Sequence, residues 1–126
     1  MHKVVLDASA LLALINSEPG ADNVAKILPN ACMSSVNYSE VATVLQNIGM
    51  SGDVIESILE GLVEVISFSQ EHALFAASLH SQTKKHGLSL GDRACLALGC
   101  SIKCPVYTAD RVWANLNLEI KVHLIR

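Results

Sequence analysis

Four acidic residues stand at places in the sequence where carboxylates could do chemistry: Asp7, Glu40, Asp92 and Asp110. Asp7 directly follows the apolar run Lys3–Leu6 (KVVL), and Asp110 follows Val106-Tyr107-Thr108-Ala109. Glu40 lies four residues beyond Val36. Asp92 opens a helical stretch after Gly87-Leu88-Ser89-Leu90-Gly91. Carboxylates gathered at one place repel each other unless a positive charge lies between them. A hard divalent cation with oxygen ligands, Mg²⁺ or Mn²⁺, fills that role. The competing reading is that each acid is a helix cap. Asp is a preferred N-cap, and Asn37-x-x-Glu40 and Ser89-x-x-Asp92 both resemble capping boxes. Capping accounts for the acids one by one, but not for four of them at one end of one sheet.

The elements that would place them there alternate along the chain. Strands are expected at Lys3–Leu6, Ala31–Val36, Leu62–Ser67, Val106–Thr108 and Ile120–Leu124. Helices are expected at Ala8–Asn16, Ala21–Leu28, Ser39–Ile48, Gly52–Glu60, Gln70–His86, Asp92–Ile102 and Arg111–Leu116, punctuated by Pro19-Gly20, Pro29-Asn30, Gly49, Gly61, Gly87 and Pro105. Strands separated by helices form parallel βαβ units. Runs such as KVVL, apolar on both faces, belong to a sheet covered on both sides. The expected fold is therefore α/β, a three-layer α/β/α sandwich around a mostly parallel five-stranded sheet. Ligands of such sheets bind beyond the carboxyl ends of the strands, where the four acids map.

The 126 residues make one domain, taken as 1–126, with 51% hydrophobic and 17% charged residues. That composition excludes disorder. Aromatics at 4% argue against a base-stacking platform. Lys84-Lys85-His86 is the nearest thing to a basic run, so no duplex-binding face is announced. The four cysteines, Cys32, Cys95, Cys100 and Cys104, match no zinc or iron–sulfur spacing and read as reduced, mostly buried thiols. No secretory signal and no membrane span is visible, which gives a cytoplasmic expectation. The nucleotide-binding glycine motifs and G-x-S-x-G are absent. The five histidines are scattered, with His72 and His80 expected on a helix surface.

The segments VVLDASALLALINSEPG, NYSEVATVL, LSLGDRACLALG and VYTADRVWANL, in this order and spacing, resemble the four acidic motifs of the PIN-domain metal-dependent nucleases. The likeness runs from Lys3 to Arg126 and is strongest to the compact VapC-type toxins of toxin–antitoxin pairs. It implies that Asp7, Glu40, Asp92 and Asp110 are the acidic quartet. Asp7 and Asp92 would hold the principal Mg²⁺ or Mn²⁺, Asp110 would complete its shell, and Glu40 would orient ligands or the attacking water. Ser9 and Thr108 would be hydroxyls beside the metal, with local turn capping as their alternative role. Arg93 and Arg111, next to two of the acids, would contact RNA or be solvated or paired. The implied activity is endonucleolytic hydrolysis of RNA, with a cognate antitoxin and a homodimer as partners.

The formal charge of -3 becomes +1 without the four acids, so the remaining surface is near neutral. RNA binding should then rest on metal and shape more than on counterion release. Two other readings compete. One is a non-catalytic PIN-like module that binds RNA or protein, although such members would be expected to lose acids. The other is an aspartate-based phosphatase using Asp7, but Ser9 stands where that chemistry wants a second Asp.

Overall fold

The computed structural model describes residues 4–126. Its sheet contains β1 (Val4–Leu6), β2 (Ala31–Ser34), β3 (Glu64–Ile66), β4 (Val106–Thr108) and β5 (Val122–Leu124). The order across the sheet is β3-β2-β1-β4-β5. Every neighbouring pair is parallel, so the sheet is parallel throughout rather than mostly so. Lys3, expected in the first strand, lies outside the described residues.

The helices are α1 (Ala8–Ile15), α2 (Ala21–Ile27), α3 (Ser35–Asn47), α4 (Gly52–Leu59), α5 (Gln70–Ser78), α6 (His80–Thr83) and α7 (Leu90–Ile102). Tight 3-10 turns follow at Leu28–Asn30, Lys84–His86 and Arg111–Asn115. Side chains alternate across a strand, and here the alternation feeds two cores. Val4, Leu6 and Met33 join Ala10, Leu11, Val24, Val41, Leu45, Ile55 and Leu59 from α1–α4 on one face. Val5, Cys32 and Val106 join Cys95, Leu96 and Leu98 of α7, Leu79 and Trp113 on the other. These two layers and the sheet between them are the expected α/β/α sandwich.

Most element boundaries lie within one or two residues of expectation, with a 3-10 turn at Arg111–Asn115 where a short helix was expected, and two differences are larger. Ser34 ends β2 and caps α3, its hydroxyl accepting from the Val36 N–H at 3.2 Å. The helix therefore starts four residues earlier than expected. Glu40 falls in its second turn, and Asn37 is an internal helical residue rather than the start of a capping box. The single helix expected over Gln70–His86 is interrupted at Leu79 and finishes as a 3-10 turn. Hydroxyls compete with the helical ladder nearby: Ser78 Oγ donates to the Phe75 carbonyl at 2.6 Å and Thr83 Oγ1 to the Leu79 carbonyl at 2.8 Å. His72, expected on the surface, is buried on α5. All four cysteines are free, three of them buried. Among the described residues, no helix is long and apolar enough to cross a membrane.

Candidate active site

Sequence order runs β1, β2, β3 to one side of the sheet and β4, β5 to the other. The crevice between β1 and β4 is the point where strand order reverses, the usual ligand position in an open parallel sheet. Asp7 leaves the end of β1 there, beside Thr108, the last residue of β4.

Asp7 is 5% exposed and caps α1. Its Oδ1 accepts from Ser9 Oγ at 2.7 Å and from the Ala10 N–H at 2.9 Å. Its Oδ2 accepts from Thr108 Oγ1 at 2.6 Å. With both hydroxyl protons committed to Asp7, the hydroxyl oxygens serve as acceptors: Ser9 Oγ takes the Ala109 N–H at 2.9 Å and Thr108 Oγ1 takes the Asp110 N–H at 3.0 Å. Ser9 and Thr108 thus bridge the two strand ends across about a hundred residues of sequence. Burial pushes the Asp7 carboxyl up from its ordinary 3.8 to about 6. The bonds from Thr108, Ser9 and Ala10 pull the other way, and the Asp92 charge pushes it further up. Desolvation of the charged form wins over three hydrogen bonds.

Asp92 enters from the first turn of α7. The Ser89–Asp92 capping box is real: Ser89 Oγ accepts from the Asp92 N–H at 3.2 Å, and Asp92 Oδ2 accepts from the Ser89 N–H at 2.9 Å. Capping and a site role do not exclude each other, because the cap occupies Oδ2 while the charge still reaches Asp7. Glu40 comes from α3. Its Oε1 accepts from Asn37 Nδ2 at 2.8 Å, and its carboxylate lies against Gly91. Asp110 caps the 3-10 turn after β4, Oδ1 accepting from the Val112 N–H at 3.0 Å, and it is exposed. The buried thiol of Cys95 feels Asp7, Asp92 and Glu40 together. Burial and these charges hold it well above the usual thiol range, so it stays protonated and is no nucleophile.

The structure therefore brings Asp7, Asp92 and Glu40 into one electrostatic neighbourhood. Asp110 is linked to it through Thr108. The carboxylates are not gathered into a cage: among the described residues, no three His, Cys, Asp or Glu side chains are placed to hold one metal ion. Each acid is instead tethered locally, Asp7, Asp92 and Asp110 by caps and Glu40 by Asn37. The donor set nevertheless suits a hard cation. It is all oxygen, and its buried member carries a charge that a cation would neutralise. Arg93 does not face this set. Its Nη1 donates to the Ala76 carbonyl of α5 at 3.1 Å and its Nε is buried. Arg111, beside Asp110, is exposed. Asn37 and Gly91 are the residues that sequence reasoning missed.

The PIN-domain family model matches residues 4–118. The chain belongs to the PIN-domain family. Its fold is that of VapC toxins. The DNA-bound VapBC complex of Salmonella typhimurium contains a chain that is 16% identical, with 100% of each chain covered and a TM-score of 0.77. A toxin–antitoxin complex from Klebsiella pneumoniae is 17% identical over 98% of each chain, with a TM-score of 0.76. The VapC20 toxin of Mycobacterium tuberculosis, which cleaves the sarcin–ricin loop, is 16% identical over 94% of this chain and 99% of that one, with a TM-score of 0.72. No curated protein sequence matches the chain significantly.

Proposed function

We propose that this protein is a metal-dependent endoribonuclease and the toxin of a toxin–antitoxin pair, acting as one PIN domain. The observation that carries the reading is the buried Asp7 at the β1/β4 crevice, held by two hydroxyls and coupled to Asp92. Asp7 and Asp92 are the residues that would hold Mg²⁺ or Mn²⁺, with Asp110 and Glu40 at its margin. When bound, the ion supplies an acidified water and neutralises charge developing on the phosphate.

The chain's own residues do the rest. Ser9 and Thr108 fix both oxygens of Asp7, so that its orientation is set before any ion arrives. The N–H groups around Asp7 and Asp110 leave those carboxylates little freedom to turn. Glu40, lying against the first turn of α7, would orient ligands or the attacking water. No serine, cysteine or histidine nucleophile is needed, and the buried, protonated Cys95 does not offer one. Exposed Arg111 is the cation beside the acids best placed to meet an RNA backbone.

Partners follow from the same reading. The structural neighbours from Salmonella and Klebsiella are toxin–antitoxin complexes, which supports a cognate antitoxin. Val44 on α3, Ile48 at its C-cap and Val54 on α4 expose apolar surface, as a protein awaiting a second copy or an antitoxin would. Cytoplasmic action, with RNA as substrate and a homodimer as the assembly, completes the proposal. Expression without a partner should arrest growth, and the Asp7→Asn variant should not. Normal growth with the wild-type protein abundant and soluble would remove the toxin reading.

A further inference from the structure

Glycine in the first turn of a helix is a poor choice, since alanine favours helix there. Gly91 occupies such a position in α7, without a left-handed backbone to explain it. The explanation is across the interface. A Cβ on Gly91 would stand 2.6 Å from Glu40 Cδ and 2.5 Å from its Oε1, closer than van der Waals contact permits. The Glu40 carboxylate fills the space that a side chain at 91 would occupy.

Asn37 completes the arrangement. It is 1% exposed, inside α3, one turn before Glu40. Its Nδ2 donates to Glu40 Oε1 at 2.8 Å and to the Gly91 carbonyl at 3.0 Å. Both partners are acceptors, so the amide has one possible orientation. Its Oδ1 is left buried with no partner. An unpartnered buried carbonyl is unfavourable. Mere filling of space would be better served by an apolar residue.

We propose that Asn37 and Gly91 are positioning residues that clamp the Glu40 carboxylate over the first turn of α7, next to Asp92. Asn37 pulls the carboxylate in by a hydrogen bond and ties it to the α7 backbone. Gly91 leaves the room for it. The functional part of this inference rests on the reading of the acids as an RNA-cleaving site. The clamp itself is a structural claim that can be tested without cleavage.

The test is a set of variants: Asn37→Ala, Asn37→Asp, Gly91→Ala, Glu40→Ala, and each clamp variant combined with Glu40→Ala. Thermal melts in EDTA and RNA cleavage at saturating Mg²⁺ are read on all of them. Supporting residues of this kind typically contribute about 10–100-fold to activity. Asn37→Ala and Gly91→Ala should therefore lower kcat by about that factor, with KM within about twofold. Combined with Glu40→Ala, neither should slow the enzyme beyond Glu40→Ala alone, because both act through that carboxylate. Asn37→Asp keeps the size but loses both donors and faces one carboxylate with another, so it should be as impaired as Asn37→Ala. Gly91→Ala should melt no lower than wild type by more than a few degrees, since Glu40 is a flexible chain that can swing aside.

Full activity of Asn37→Ala, or multiplicative losses in the double variants, would overturn the clamp. If wild-type protein does not cleave RNA, the melts still decide. Tm shifts of Asn37→Ala and Glu40→Ala that are less than additive in the double variant support the clamp, and additive shifts refute it. If Asn37→Ala does not fold, Gly91→Ala carries the same comparison.

Discussion

Asp7→Asn separates what burial does to a carboxylate from what a cap does. Without metal, Asp7 holds its proton up to about pH 6 instead of 3.8, a displacement equivalent to about 3 kcal/mol in favour of the neutral form. Between those values the folded protein binds a proton that the unfolded chain has released. Its stability therefore falls as pH rises from about 4 to above 6, and the full penalty stands at pH 8. Asn caps helices as well as Asp does and carries no charge into the crevice. The variant should be more stable than wild type by about 1–3 kcal/mol at pH 8 in EDTA, the lower figure allowing for imperfect hydrogen bonding to Thr108. At this chain length each kcal/mol moves Tm by about 3–5 °C. The advantage should vanish near pH 4. With Mg²⁺ the order should invert, because a ligand at about a thousand times its Kd adds about 4.1 kcal/mol to the protein that binds it and little to the one that does not. Melts from pH 4 to 8, with EDTA and with Mg²⁺, measure both effects. A variant less stable than wild type at pH 8 in EDTA, or one whose stability follows the same pH slope, would refute the reasoning.

Three further outcomes are expected. Thr108→Val, nearly isosteric, strips the donor from Asp7 Oδ2 and the acceptor from the Asp110 N–H; it should lower stability by about 1–3 kcal/mol in melts and raise the Asp7 pKa above 6, read by carboxyl NMR titration. Asp92→Asn weakens the capping box by about 0.3–1 kcal/mol yet removes a charge that pushes Asp7 up; the Asp7 pKa should fall, and the Mg²⁺-induced Tm shift should shrink. An unchanged Mg²⁺ shift with unchanged cleavage would take Asp92 out of the site. Gly20→Ala should be among the most damaging substitutions outside the site, by about 2 kcal/mol or more in chemical denaturation, since Gly20 has φ +96° and a Cβ there would meet the Ile125 carbonyl oxygen at 2.6 Å.

The α/β/α architecture was legible because strand–helix alternation and doubly apolar strands constrain the topology strongly. The acids were legible for the same reason, since three of the four sit at strand ends or helix starts that punctuation marks clearly. What escaped was register within runs of interchangeable caps. Ser34, Ser35, Asn37 and Ser39 can all cap a helix, and only the folded chain selects Ser34. That choice converts Asn37 from a cap into a buried helical residue, and its partner Gly91 lies 54 residues away. Gly91 carried a faint signal, a glycine where a helix former was expected. Nothing local marks Thr108 as a donor to Asp7, because the bond exists only through the β1–β4 pairing. Arg93, next to Asp92, read either as an RNA contact or as solvated or paired, and only the folded chain shows its partner, the Ala76 carbonyl of α5.

Cleavage of RNA by the purified protein, with and without divalent metal, tests the central claim most directly. Product formation on a structured RNA should require added Mg²⁺ or Mn²⁺, stop in excess EDTA, and return when metal is restored. Asp7→Asn, though more stable without metal, should be inactive in every lane. Undiminished cleavage in EDTA, or equal cleavage by Asp7→Asn, would contradict a metal-dependent site built around Asp7.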